Sequence, residues 1–158
     1  MPSWSTVAAQ APDLAVTGSR LLGLSGLEDG RQGGLAYLAT LTAWGAPRLQ
    51  PISPCLVDGH LCLAVIAGTP KRKDLSRDGR LALHAPLGAP NDEEFVVVGR
   101  AFRIPDQALA ERVRRASPLR PDAELEFFEV DIEQCLGAEW IETDAGPRPR
   151  YCRWPDAV

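Results

Sequence analysis

Between residues 48 and 66 the chain presents two apolar runs separated only by Asp58-Gly59. Both residues of that pair tolerate the positive φ of a tight two-residue turn, so the runs are expected to fold back on one another as an antiparallel hairpin. The same theme recurs on both sides. Residues 35–42 form a β-compatible run, and Trp44-Gly45-Ala46-Pro47 reads as the turn that joins it to the strand at 48–57. Within that strand Pro51 and Pro54 cannot donate ladder hydrogen bonds, which puts it at a sheet edge or at bulges. Residues 60–66 are continuously apolar, the pattern of a strand buried on both faces. Strands are also expected at 80–85 and 94–104, with Gly99 marking a bulge or a close backbone approach. Phe128, Val130 and Ile132 alternate with Glu129, Asp131 and Glu133, the period of a half-buried strand. Two more strands, 138–143 and 148–154, flank the turn Asp144-Ala145-Gly146.

Helices punctuate these strands. One is expected over 3–22, capped by Ser3 or Ser5, with Val7, Ala11, Leu14, Leu21 and Leu22 on its apolar face and Gly23 and Gly26 ending it. A short one is expected over 71–77, and a third runs from the cap Asp106 to about residue 116. Polar, turn-rich loops fill 28–34 and 86–92. Consecutive hairpins with a few helices predict a mainly β, largely antiparallel barrel with flanking helices, not an alternating α/β sheet.

The chain has 158 residues, a net charge of −4, 45% apolar and 24% charged residues, which fits one folded domain over 1–158. The acidic balance speaks against a nucleic-acid partner, which needs a basic face. No apolar run approaches the roughly 18–20 residues that span a bilayer, so no membrane association is expected. Met1-Pro2-Ser3-Trp4 opens no basic-then-apolar leader, and a cytoplasmic protein is expected. Four cysteines without a CxxC spacing predict neither a disulfide scaffold nor a metal site.

Two lysines accompany fifteen arginines, and both lie in Gly68-Thr69-Pro70-Lys71-Arg72-Lys73-Asp74-Leu75. Three cations thus occupy the first turn of a helix, where the dipole disfavours them by about 0.3–1 kcal/mol each. Either the turn is a solvated basic patch beside Asp74, or an anion such as a phosphate docks there on free backbone N–H groups. No nucleophile constellation is present, and no catalytic residue can be named. His60 follows the Asp58-Gly59 turn and is expected at the surface. His84 faces away from Leu81 and Leu83, as a structural histidine or as a ligand contact. Cys55 and Cys62 fall on paired strands as small apolar residues. Trp4, Trp44, Trp140 and Trp154 read as core or interface residues.

In this order, Tyr37-Leu38-Ala39-Thr40-Leu41, Gly45-Ala46-Pro47-Arg48, Asp58-Gly59-His60-Leu61, Thr69-Pro70-Lys71, Asp74-Leu75, Arg80-Leu81-Ala82-Leu83 and Val97-Val98-Gly99-Arg100-Ala101 carry a resemblance. The chain resembles the pyridoxamine 5′-phosphate oxidase-like, flavin-binding split-barrel family over about residues 35–104, with a weaker match at 127–133. The resemblance implies a six-stranded antiparallel split barrel acting as a homodimer, with the cofactor in a groove between subunits. It implies FMN, or alternatively the deazaflavin coenzyme or haem, and hydride exchange with a small-molecule substrate, or else a non-catalytic binder. By position, Lys71 and Thr69 would hold the phosphate with Arg72 nearby. Gln50, Pro51, Ile52 and Ser53 would run beside the isoalloxazine ring, Ala64 and Val65 would flank the groove, and Arg48 would stand at its mouth. Pro70 and Gln50 replace basic residues of the true oxidases, and Gly79 replaces a proline, so oxidation of pyridoxamine phosphate itself is not expected.

Overall fold

The computed structural model describes residues 1–24, 34–87 and 92–156. Gly26, most of the loop at 28–34 and part of that at 86–92 therefore lie outside the described residues. The elements run α1 (Trp4–Gln10), α2 (Pro12–Leu21), β1 (Ala36–Leu41), β2 (Pro47–Ile52), β3 (Pro54–Val57), β4 (His60–Ile66), α3 (Pro70–Arg77), β5 (Arg80–His84), β6 (Glu94–Arg103), α4 (Gln107–Ala116), β7 (Leu125–Ile141) and β8 (Arg148–Trp154). All strand pairs are antiparallel, in the order β2-β1-β5-β6-β7-β4-β3, with β8 added to β7.

Eight strands among the described residues, in one sheet with β8 branching from β7, replace the six expected from the resemblance. The strand expected at 48–57 divides at Ser53, where Pro51 and Pro54 deny the ladder two donors. Its halves end on opposite edges of the sheet, β2 at one and β3 at the other, as the proline argument requires. Conversely, the strands expected near 128–132 and 138–143 are one element, the seventeen-residue β7. The helix expected over 3–22 is also two. Proline lacks an N–H and disfavours helical backbone at the residue before it, so Ala11 turns out to φ −141° and ψ 68° and Pro12 starts α2. Ser3 is the N-cap of α1, while Ser5 instead donates to the Gly59 carbonyl.

Asp58 and Gly59 take φ 51° and 78°, closing the β3–β4 hairpin with Cys55 opposite Cys62. The β6–β7 register shifts at Val98/Gly99. A Cβ on Gly99 would sit 2.1 Å from the Asp131 carbonyl oxygen, so this crossing admits only glycine. The main core fills the concave side of the sheet, where Leu38, Leu61, Leu63, Leu83, Phe95, Val97, Phe128, Val130 and Ile132 are buried. Trp4 packs edge-on against Phe95 at 6.0 Å. A second core lies on the other side of β3 and β4, where α4 covers Cys55, Val57, Cys62 and Ala64 with Val113 and Ala116. The Asp106 carboxylate caps α4 by accepting from the N–H groups of Ala108 and Leu109.

The convex side of β2, β1, β5 and β6 has no such cover among the described residues. Pro51, Tyr37, His84, Val96 and Leu136 form one row across it in register, and Leu49, Ala39, Ala82 and Val98 form the next. Leu49 is 68% exposed and Tyr37 46%, and Trp44 projects from the β1–β2 turn at 90%. Trp44 and Trp140 are thus not core residues, whereas Trp4 and Trp154 are. No described helix is long and apolar enough to cross a membrane.

Candidate functional site

The site is built where β4 ends and α3 begins. Thr69 occupies the N-cap position of α3, but its hydroxyl donates to the Ile66 carbonyl at 2.7 Å and caps nothing. Pro70 follows at the first helical position. The Lys73 N–H closes on the Thr69 carbonyl at 3.3 Å, and no side chain among the described residues accepts from the N–H groups of Lys71 and Arg72, which are left for an outside acceptor. Lys71 reaches across to β2, where its Nζ donates to the Pro51 carbonyl at 2.6 Å. Burial pulls the Lys71 ammonium below the ordinary lysine range. A partly desolvated cation with one neutral acceptor is the partner an anion needs.

Between β2, β4 and α3 lies a cleft of about 180 Å³. Pro51, Ile52 and Ser53 form one wall, and Ala64, Val65 and Ile66 form the other. Thr69 and Lys71 stand at one end, and Leu35 and Leu119 complete the lining. Seven of the ten residues singled out from the sequence meet here. The other three do not line it. Arg48 turns to Asp74, with Nε 2.7 Å from Oδ2. Arg72 lies 3.2 Å from Glu126, close enough for an ion pair although its Nε–H is not aimed at the carboxylate. Gln50 keeps its Nε2 buried and unpartnered.

Two other hollows have the wrong chemistry for a phosphate. One of about 190 Å³ between α2 and the β7–β8 pair is lined by Asp13, Glu93 and Glu139 against Arg150, a net acidic set. The other is a shallow groove of about 510 Å³ at the α1–α2 elbow, lined mostly by apolar residues such as Trp4, Ala8 and Val16, and its one cation, Arg20, is already paired with Glu93.

The residue that sequence reasoning missed is Asp74. It is 2% exposed and accepts from the Thr40 hydroxyl at 2.9 Å, from Arg48 at 2.7 Å and from Arg77 at 3.3 Å. Arg48 and Thr40 lie 26 and 34 residues away, so only the folded hairpin reveals them as partners. Burial alone would push the Asp74 carboxyl up. The hydrogen bonds from Arg48, Thr40 and Arg77 and the Arg48 charge outweigh that, and the carboxyl sits below the ordinary carboxylate range. The unfolded chain, with a carboxyl near 3.9, therefore takes up the proton first as pH falls. The stability from this group is complete above about pH 4 and is lost as pH drops further through the folded value. Urea midpoints should accordingly show an acid limb beginning near pH 4 that is shallower in Asp74→Asn; an equally steep limb would contradict the assignment.

His60 keeps part of its surface, its side chain being 38% exposed, while its Nδ1 lies 2.6 Å from Glu129 of β7. His84 Nδ1 lies 2.6 Å from the Ala85 carbonyl, an oxygen that can only accept, so Nδ1 donates, and Nε2 has no hydrogen-bond partner among the described residues. Burial pushes the Cys55 and Cys135 thiols up to about 12, which keeps them from thiolate chemistry. No group of three His, Cys, Asp or Glu side chains among the described residues could hold a metal ion.

No protein-family model matches the chain, and no curated protein matches it significantly. Solved structures do. A heme binding protein from Mycobacterium smegmatis matches with a TM-score of 0.57 and 18% identity, over 84% of this chain and 56% of that one. An FAD binding protein from the same organism matches at 0.54 and 17%, over 66% and 84%. A Listeria innocua protein named after pyridoxamine 5′-phosphate oxidase matches at 0.54 and 17%, over 64% and 85%. The chain spans just over half the length of the heme binding protein. At these identities the likeness is one of fold. What this chain shares with them is the antiparallel sheet with its flanking helices, the fold of proteins whose names speak of heme, of FAD and of pyridoxamine 5′-phosphate oxidase.

Proposed function

We propose that this protein is a flavin-binding split-barrel oxidoreductase that holds FMN in the cleft between β2, β4 and α3. The observation that carries the reading is the uncapped first turn of α3, with the partly buried Lys71 ammonium set over the cleft. Lys71 and the free N–H groups would take the phosphate. The backbone of residues 51–53 would line the ring's edge, and Ala64 and Val65 would pack its apolar side. When bound, the flavin supplies hydride exchange with a small-molecule substrate; the protein supplies binding, orientation and exclusion of water.

At about 180 Å³ the cleft is smaller than the roughly 300–1,000 Å³ that such ligands occupy, so one chain forms only part of the site. The uncovered sheet face begins at Pro51, which also lines the cleft. A second copy seated on that face as a homodimer would bury it and complete the groove. Cys55 and Cys62 face each other in register yet remain free thiols, which fits a reducing, cytoplasmic setting.

The test is a titration of the purified protein. FMN, or failing that the deazaflavin coenzyme, should bind tighter than about 100 μM, roughly −5.5 kcal/mol. If neither does, the reading is wrong. His84, whose Nε2 has no partner among the described residues, favours one second reading, a non-catalytic haem binder. Its mark would be a Soret band that disappears in His84→Ala.

A further inference from the structure

Asp74 and Thr40 are the buried polar side chains among the described residues, each 2% exposed. Asp74 lies three residues past Lys71, one helical turn further along α3. Through it the helix is tied to both strands of the β1–β2 hairpin, by Thr40 in β1 at 2.9 Å and by Arg48 in β2 at 2.7 Å. Arg77 adds a third tie, contacting Asp74 and donating to the Leu41 carbonyl. Lys71 makes its own contact with the same β2 strand, at Pro51. One helix thus meets one strand at two points a turn apart, which fixes both its height and its rotation.

The geometry points to Asp74 as the positioning residue of the phosphate end of the cofactor site. With Thr40 and Arg48 it holds the first turn of α3, and so Lys71 and the free N–H groups, at a set distance from residues 51–53. This rests on the flavin reading above. Asp74 touches no cofactor; it acts through Lys71.

The sign of the effect separates this role from simple electrostatics. A carboxylate on the same helix repels a phosphate docked at its start, so charge alone predicts that neutralising Asp74 tightens FMN binding. Positioning predicts the reverse. Riboflavin, which has the ring but no phosphate, reports whether the rest of the site is intact.

The experiment titrates wild type and Asp74→Asn with FMN and with riboflavin, following flavin fluorescence, alongside thermal melting. The expected result is an FMN dissociation constant raised about tenfold, as when a bound group's supporting charge-assisted hydrogen bonds are lost, with riboflavin changed less than about twofold. In a Lys71→Ala background Asp74→Asn should then cost FMN binding less than it does in wild type, because only the N–H groups are left to be misplaced. Unchanged or tighter FMN binding overturns the inference. So does equal weakening of FMN and riboflavin, or a lowered melting temperature with the FMN preference kept, since these mark a purely structural carboxylate. If Asp74→Asn does not fold, Thr40→Val, which keeps shape and charge and removes one tie, decides by the same two ratios. A wild type that does not prefer FMN to riboflavin refutes the phosphate site itself, without any variant, and this inference with it.

Discussion

Replacing Lys71 with alanine should weaken FMN binding by about 10- to 100-fold, the equivalent of roughly 1.5–3 kcal/mol for a hydrogen bond to a charged group. The expectation rests on where the ammonium sits. It is partly withdrawn from water and has a backbone carbonyl as its partner, so a phosphate gives it a counter-charge that solvent supplies poorly. Lys73, two residues on, is exposed, and Lys73→Ala should change affinity little. Riboflavin should bind wild type and Lys71→Ala alike. The pH profile follows from the same fact. Phosphate binding needs the charged amine, and burial lowers its pKa, so FMN affinity should start to fall at a lower pH than an ordinary lysine near 10.4 would dictate. Equal FMN affinity in wild type and Lys71→Ala, measured by titration at neutral pH, would place the phosphate elsewhere.

If two copies pack through the uncovered sheet face as proposed, Tyr37→Asp should separate them and leave a mass in solution of about 17.1 kDa. Tyr37 sits in the uncovered row between Pro51 and His84 and is 46% exposed in the single chain, so the change costs the isolated fold little. In a two-fold interface the same substitution enters twice. Two carboxylates pushed into an apolar contact cost several kcal/mol, enough to separate the subunits at micromolar concentration. FMN affinity should fall with the mass, because the cleft of one chain is too small to enclose the ring. Light scattering that shows a single chain for the wild type, or an unchanged dimer for Tyr37→Asp, would remove this face from the interface.

Local chemistry made much of this fold legible before any coordinates. The Asp58-Gly59 turn, the edge position forced by Pro51 and Pro54, the Gly99 bulge and the Asp106 cap each depend on one or two residues and their neighbours. What could not be read was set by distant partners. The apolar spacing over 3–22 read as one helix, yet Pro12 divides it. The continuity of β7 depends on β6 shifting its register beside it, which no feature of β7 itself announces. The cleft shows the same division. Lys71 was visible in the short-range cluster of cations, whereas Pro51 and Thr69 entered the site only through the family resemblance. Arg48 and Arg72 looked like free cations until the fold brought Asp74 and Glu126 to them. Asp74 resembled a solvated counter-charge because Thr40 and Arg48 reach it only after β1 and β2 pair.

The seventeen residues of β7 have a consequence for how the molecule is made. The β3–β4 hairpin joins the rest of the sheet only through β7, and β6 also gains its second neighbour there. On the ribosome both edges emerge well before the strand that covers them. Until about residue 141 has left the exit tunnel, the nascent chain carries two unpaired strand borders and half of a core, the state in which newly made β proteins are captured by chaperones or by one another.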